Sequence, residues 1–277
     1  MEAGLKTGLG PVSFDHPIFD SVRFWLERLK DFSLESLNEL AGESKIRTES
    51  GKPIRFVPPA ASDPYYEVHL FETGQVQTRP DSKHDLFNAL AWLAFPRIKA
   101  RINAMHAAEI PREGGRRGRL RDLLTIFDEG GAIAVCRDDV GGLIRSARWR
   151  ELFVDRFRDL RIVVVGHAVL EQAALAPHPR ITCKVIIAEP ACDLDSHAAQ
   201  WLSTTGRSPR DLPPLPVFGY PGWLPQSGSP DFYADERYFR PLQRGKMPPG
   251  VGQAAAVPVA VNAGAEESPG SRERDAG

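Results

Sequence analysis

The chain has 277 residues, 42% of them hydrophobic and 26% charged, which is ordinary for a soluble protein with room for a sizeable core. A formal net charge of −1 gives no general electrostatic case for a nucleic acid or an anionic membrane as partner. No apolar run reaches the ~18 to 20 residues of a membrane span, and the N-terminus, MEAGLKTGLGPVSFDHP, lacks the apolar centre of a secretion signal.

Residues 1–13, glycine-bearing and poor in apolar groups, are expected to be loose. From Pro17 to about Leu40 the pattern is helical. Phe19, Val22, Phe24, Trp25 and Leu29 fall at core spacing, and Ser33 is placed to cap a second, short helix. Ile54 to Val57 reads as a strand stopped by Pro58 and Pro59. Tyr65 to Phe71 alternates apolar and polar residues, and Glu72, Thr73 and Gly74 turn it into Val76 to Arg79. That is the pattern of a β-hairpin, with His69 in its first strand.

The stretch from Gln77 to Glu109 predicts a helix start followed by a long apolar helix. Pro80 ends what precedes it, and Ser82 with Asp85 fits a capping box. Leu86, Phe87, Leu90, Leu93 and Ala94 mark the buried face, while His84 and Asn88 lie one turn apart on another. Lys99 and His106 return to the azimuth of His84 if the helix is straight, but at ~1.5 Å per residue His106 would then lie about 33 Å away. Pro96 is expected to kink or split the helix. The useful cluster on this reading is therefore Arg79, His84, Asp85 and Asn88, and Asp85 is explained equally by capping.

Between Arg112 and Arg121 stand five arginines and three glycines, either an anion clamp or a polar surface loop. Leu123 to Phe127 and Ala132 to Val135, joined by Asp128, Glu129, Gly130 and Gly131, read as a second hairpin. Asp128 and Glu129 are then turn residues or a carboxylate pair held at a strand end. Trp149 to Phe157 has helical spacing. Ile162 to Val165 is a β-branched run suited to a buried strand; Gly166 and His167 turn into a short helix bearing Glu171, and Ile181 to Ile187 is another strand. Strand, helix and strand suggest a βαβ crossover that sets His167 at a strand end, where α/β folds place ligands. His167 and Glu171 are a metal-ligand pair or a packed hydrogen-bonded pair. Asp195 to Leu202 reads as a helix with Trp201 inward. From Ser208 to Pro241 the chain lacks periodicity but carries Tyr220, Trp223, Phe232, Tyr233, Tyr238 and Phe239, which pin a coil onto a domain or wall a pocket. Residues 242–277 are expected to be disordered.

These motifs together resemble a family of uncharacterised bacterial proteins known as DUF3025. The resemblance is carried by RPDSKHDLFNALAWLAFP from Arg79 to Pro96, and by Arg121 to Thr125 with Asp128, Glu129 and Gly131. It continues in Val165, Gly166 and His167 with Glu171, and in Gly219 to Trp223. It spans roughly Phe14 to Pro241 and implies no chemistry. Short phosphate-loop, dinucleotide, zinc-protease, nucleophile-elbow and calcium-loop motifs are absent from the sequence.

The expectation is one α+β domain over 14–241: a mixed sheet from two hairpins and a βαβ-like unit, packed by helices, with a C-terminal wrapping coil. Three cysteines without metal or disulfide spacing suggest a reducing cytoplasm. The expected function is hydrolysis of a small anionic substrate, metal-assisted or by acid and base. His84, Asp85, Asp128, Glu129 and His167 would carry the chemistry, and Arg79, Asn88 and Glu171 would bind substrate. Neither metal, cofactor nor oligomeric state is named by the sequence. The alternative is a non-catalytic module that binds a protein or nucleic acid through the Arg112–Arg121 loop and the C-terminal aromatics.

Overall fold

The computed structural model describes residues 14–59, 65–114, 117–175 and 180–241; the expectations for 1–13 and 242–277 lie outside these. At its centre is strand β3 (Gly131–Val135), buried along its whole length. It pairs antiparallel with β4 (Arg161–Val164) and parallel with β5 (Cys183–Ala188), and β5 pairs antiparallel with the two-residue β6 (Pro214–Leu215). The order is β4-β3-β5-β6.

Side chains of β3 alternate between two cores, as the pleat of a strand requires. Ala132 and Ala134 face one core, while Ile133 and Val135 face the other. The first core is filled by α1 (Asp20–Arg28), α2 (Leu34–Ser44), α4 (Lys83–Ala94), α7 (Asp138–Arg145) and α8 (His167–Leu175). The second is filled by α5 (Pro96–Glu109), α6 (Arg119–Gly130) and α9 (Leu194–Leu202). A sheet covered on both faces accounts for the continuous apolar reading of these strands. Ser33 caps α2 by accepting from Ser36 N–H. Phe24, at core spacing in the sequence, is 59% exposed on the outside of α1.

Pro96 splits the long helix. Phe95 takes φ −133° and ψ 58°, outside the helical region that a residue before proline avoids, and Pro96 starts α5. The break carries the chain across the sheet: Leu86 to Leu93 pack in the first core, Phe95, Ile98 and Ile102 in the second. Pro96 has no N–H to lose, and the amides of Arg97 and Ile98 donate to the Asp195 carboxylate at 2.9 and 2.8 Å.

Both hairpins are corrected. Tyr66–Thr73 is a helix, α3, closed by Gly74 at φ 78°. Tyr66 and Leu70 are four apart, so their pattern fits a helical stripe as well as an alternating strand, and Gly74 is a helix stop rather than a turn tip. β2 (Gln75–Gln77) then pairs parallel with β1 (Arg55–Val57) as a separate two-stranded sheet. His69 thus lies on a helix. In the second case Leu120, Leu123, Leu124 and Phe127 recur at helical spacing, and α6 runs unbroken to Gly130, directly before β3. The βαβ unit is corrected too: β4 and β5 flank β3 with opposite senses, so α8 does not link two parallel neighbours. The C-terminal coil packs as expected through Trp223, Tyr233, Tyr238 and Phe239. Tyr238 Oη donates to Ile181 O at 2.7 Å, and Trp149 Nε1 donates to Arg240 O at 2.9 Å.

One close approach controls the end of the sheet. A Cβ on Gly166 would stand 2.5 Å from Glu129 O and 2.6 Å from Gly131 N. Gly166→Ala is therefore expected to destabilise the protein by about 1–3 kcal/mol through overpacking. Chemical denaturation of the variant checks this; an unchanged midpoint and slope contradict it.

Candidate functional site

The antiparallel pairing of β3 with β4 brings two distant sequence motifs together. Ala132 lies opposite Val164, and the amides of Val165 and Gly166 both donate to Gly131 O, at 3.0 and 2.8 Å. The residues just before β3 therefore meet those just after β4. His167 Nδ1 lies 2.8 Å from Asp128 O, one of the carbonyls that the last turn of α6 leaves without a helical partner. A carbonyl only accepts, so this contact requires the proton on Nδ1 and leaves Nε2 bare in the neutral ring.

That Nε2 is 3.2 Å from Nε2 of His84, on the first turn of α4. The rings stand edge to face, 4.6 Å between centroids and 75° apart. On its other side His84 Nδ1 lies 3.0 Å from Glu171 Oε2, one turn along α8 from His167. The buried Lys99 ammonium enters from α5. It donates to Asn88 Oδ1 at 2.8 Å and Asp128 Oδ1 at 2.5 Å, and lies 5.8 Å from the Trp92 ring centre. Asn103, also on α5, donates to Glu67 on α3, at 2.8 Å to its backbone oxygen and 2.7 Å to Oε2. Its own Oδ1 is buried without a hydrogen-bond partner. His106 completes this wall, its Nδ1 accepting from Arg121 Nε at 3.2 Å. Apart from Glu171 and Arg121, these side chains, with Glu129 and Thr125, line a cavity of about 200 Å³.

Burial and charge divide the titratable groups. Burial pushes the His167 imidazole down to about 4, helped by the nearby Lys99 and His84 and opposed by Asp128. The 3.7 Å approach of its Nδ1 to Asp128 Oδ2 is therefore a dipolar contact at neutral pH rather than an ion pair. Burial raises Asp128, but the Lys99 ammonium and its hydrogen bond outweigh that and hold the carboxyl below its ordinary value. For Glu67 burial prevails over the Asn103 hydrogen bond, and its carboxyl is pushed toward the protonated form.

Of the residues singled out in the sequence, His84, Asn88, Asp128, Glu129 and His167 line this one cavity. Glu171 stands behind His84. Arg79 and Asp85 are outside the lining and engage each other. The Asp85 carboxylate accepts from Arg79 N–H and Nε at 2.8 Å each and from Nη2 at 3.0 Å, while Ser82 accepts from Asp85 N–H at 3.2 Å. Half of the expected capping box forms; the returning carboxylate reaches beyond Ser82 to Arg79. Lys99, Asn103, His106 and Glu67 escape the sequence reading. The length of a straight helix sets Lys99 and His106 aside, and Asn103 lies on the same segment. The dipeptide Phe95-Pro96 is the signal that the helix ends there. Glu67 is hidden by the mistaken hairpin. Among the described residues, no group of three or more His, Cys, Asp or Glu side chains is placed to hold a metal ion.

His106 supplies a pH test. Burial, with lesser opposition from Asp128, lowers its imidazole to about 4, against about 6.5 in an unfolded chain. The neutral form is the one the fold favours, so its contribution is complete above about pH 6.5 and drains away as the pH falls toward 4. Up to about 3 kcal/mol is at stake on this basis. His106→Gln keeps an acceptor for Arg121 and is expected to flatten the loss of unfolding free energy between about pH 6.5 and 4.5. An acid limb as steep as that of the parent protein contradicts this.

The family model described as "Protein of unknown function (DUF3025)" matches residues 54–243. Every residue of the cavity, from Tyr66 to His167, falls inside that span. No curated protein and no solved structure matches the chain. The match covers well over half of the sequence, and the chain belongs to the DUF3025 family.

Proposed function

We propose that this chain is a hydrolase that attacks a small polar substrate with a water activated inside the cavity. The observation that carries this reading is the facing pair of imidazoles, His84 and His167. Each is held at Nδ1 by an oxygen acceptor, and each presents Nε2 to the same space. Imidazoles oriented in this way can hold the attacking water in place through their bare Nε2 atoms while a carboxylate takes its proton. Lys99, paired with Asp128 and Asn88, lines the cavity and is placed to donate to a polar group of the substrate, whereas Arg79 lies outside the lining and engages Asp85.

In the reaction, the water oxygen bonds to the electrophilic atom and the bond to the leaving group breaks with its electron pair. Glu129, exposed at the mouth, takes the proton the water gives up. Glu67, whose carboxyl burial favours in the protonated form, gives a proton to the leaving group. A cytoplasmic setting is inferred as well, supported by three free thiols, at Cys136, Cys183 and Cys192. Among the described residues no helix is long and apolar enough to cross a membrane.

The binding-module alternative draws less support. Three of the five arginines of that loop, Arg112, Arg117 and Arg121, are paired with Glu109, Asp122 and Glu113, which reduces the charge left for phosphate contacts. Trp223, Tyr233, Tyr238 and Phe239 are buried against the domain rather than offered to a partner.

Chromogenic ester, phosphate monoester, phosphodiester and amide substrates test the proposal. Turnover of at least one is expected, falling by about 10²–10⁴-fold in Glu67→Gln and His84→Gln with thermal midpoints near that of the parent protein. Absence of turnover on all four classes, or variants as active as the parent, overturns it.

A further inference from the structure

We propose that Nε2 of His84 and Nε2 of His167 together hold one divalent transition-metal ion, zinc or a first-row neighbour. The argument starts from where protons must be. Asp128 O accepts and cannot give, so His167 carries its hydrogen on Nδ1. The Glu171 carboxylate likewise accepts from Nδ1 of His84. Two neutral rings protonated at Nδ1 then confront each other with two bare lone pairs at 3.2 Å. A positive charge between them relieves that repulsion, and it is either a proton or a metal ion.

Three features favour the metal. The first is distance: at 3.2 Å the two nitrogens stand at the long edge of the hydrogen-bonding range. Two imidazoles bound to one zinc at about 2.05 Å would lie close to that separation, with an angle of roughly 100° at the ion, near tetrahedral. The second is support behind the ligands. A metal-bound histidine characteristically donates its other N–H to a carboxylate or a backbone carbonyl, and here one ring does each. The third is the character of the surrounding space. Asn103 lines the same cavity and has a buried Oδ1 without a hydrogen-bond partner, an acceptor suited to a donor such as metal-bound water. Imidazole nitrogen is a ligand for zinc, copper, nickel or iron, whereas calcium and magnesium take oxygen.

The protein supplies two ligands, so water and substrate complete the coordination and the ion binds reversibly. This deepens the hydrolase reading, because a bound ion would acidify the attacking water. Its test does not depend on turnover. The full chain, stripped with a chelator and dialysed, is titrated with Zn²⁺ by calorimetry and with Co²⁺ by visible d–d absorption. One saturable site per chain is expected. It is lost in His84→Ala and His167→Ala, and weakened about 10- to 100-fold in Glu171→Gln, where only the support behind His84 changes. His84 is 40% exposed as a side chain, so its alanine variant keeps the test sound if His167→Ala fails to fold. No saturable uptake of either ion, or uptake unchanged in His84→Ala, overturns the proposal and assigns the charge between the rings to a proton. Metal uptake without hydrolysis of any substrate keeps the ion and removes the hydrolase; hydrolysis indifferent to the chelator does the reverse.

Discussion

The carbonyl oxygen of Gly131 accepts two amide hydrogens, from Val165 and Gly166, and the arrangement of the cavity follows from that shared bond. It ties the first residue of the central strand to the residues that follow its antiparallel neighbour. It also leaves no space for a side chain at Gly166, where a Cβ would press on Glu129 O. Asp128 and His167, 39 positions apart, become adjacent because each stands a few residues from this tie. The carbonyl that His167 engages is one that the end of α6 would otherwise leave unsatisfied in a partly buried place, so stabilisation of the helix end and orientation of the imidazole are the same interaction.

Around that tie the cavity is assembled from both sides of the sheet. His84 and Asn88 come from α4 on one side, Lys99, Asn103 and His106 from α5 on the other, and the break at Phe95 joins the two. Lys99 is 4% exposed and sits in a network with Asp128, Asn88 and Trp92. A buried ammonium requires such compensation. The same network keeps the Asp128 carboxyl ionised while Glu67, in the same cavity, is driven the other way. Neighbouring carboxyls can be driven in opposite directions within one cavity because each answers to its own immediate partners.

Much of the cavity's polar lining was legible in the sequence because those side chains cluster at element ends. His84 follows a Ser82 cap, His167 follows the β-branched run Ile162 to Val165 through Gly166, and Asp128 and Glu129 precede glycines; these punctuations survive errors in the elements between them. The parts that were not legible share a physical cause. Period-two and helical patterns coincide over short apolar runs, so Tyr66–Thr73 and Leu123–Phe127 were open to either reading, and only packing against α5 and β5 decides. Sense of pairing is also a tertiary property: nothing in Ile162–Val165 says that β4 runs against β3 and not with it. The proline at 96 was visible, but the direction the chain takes after it depends on where Asp195, nearly a hundred residues later, presents its carboxylate.

That last dependence has an outcome of its own. At the junction of α4 and α5 the ladder of helical hydrogen bonds skips Pro96, Arg97 and Ile98, so neither half dictates the attitude of the other. One bank of the cavity rests on α8, the other on α3 and α9. Exchanges along the α5–α9 seam act on the lysine from one side, and exchanges along the α4–α8 seam act on the imidazoles from the other. The spacing between the lysine and the imidazoles is thus open to adjustment among relatives from either of two remote sets of residues.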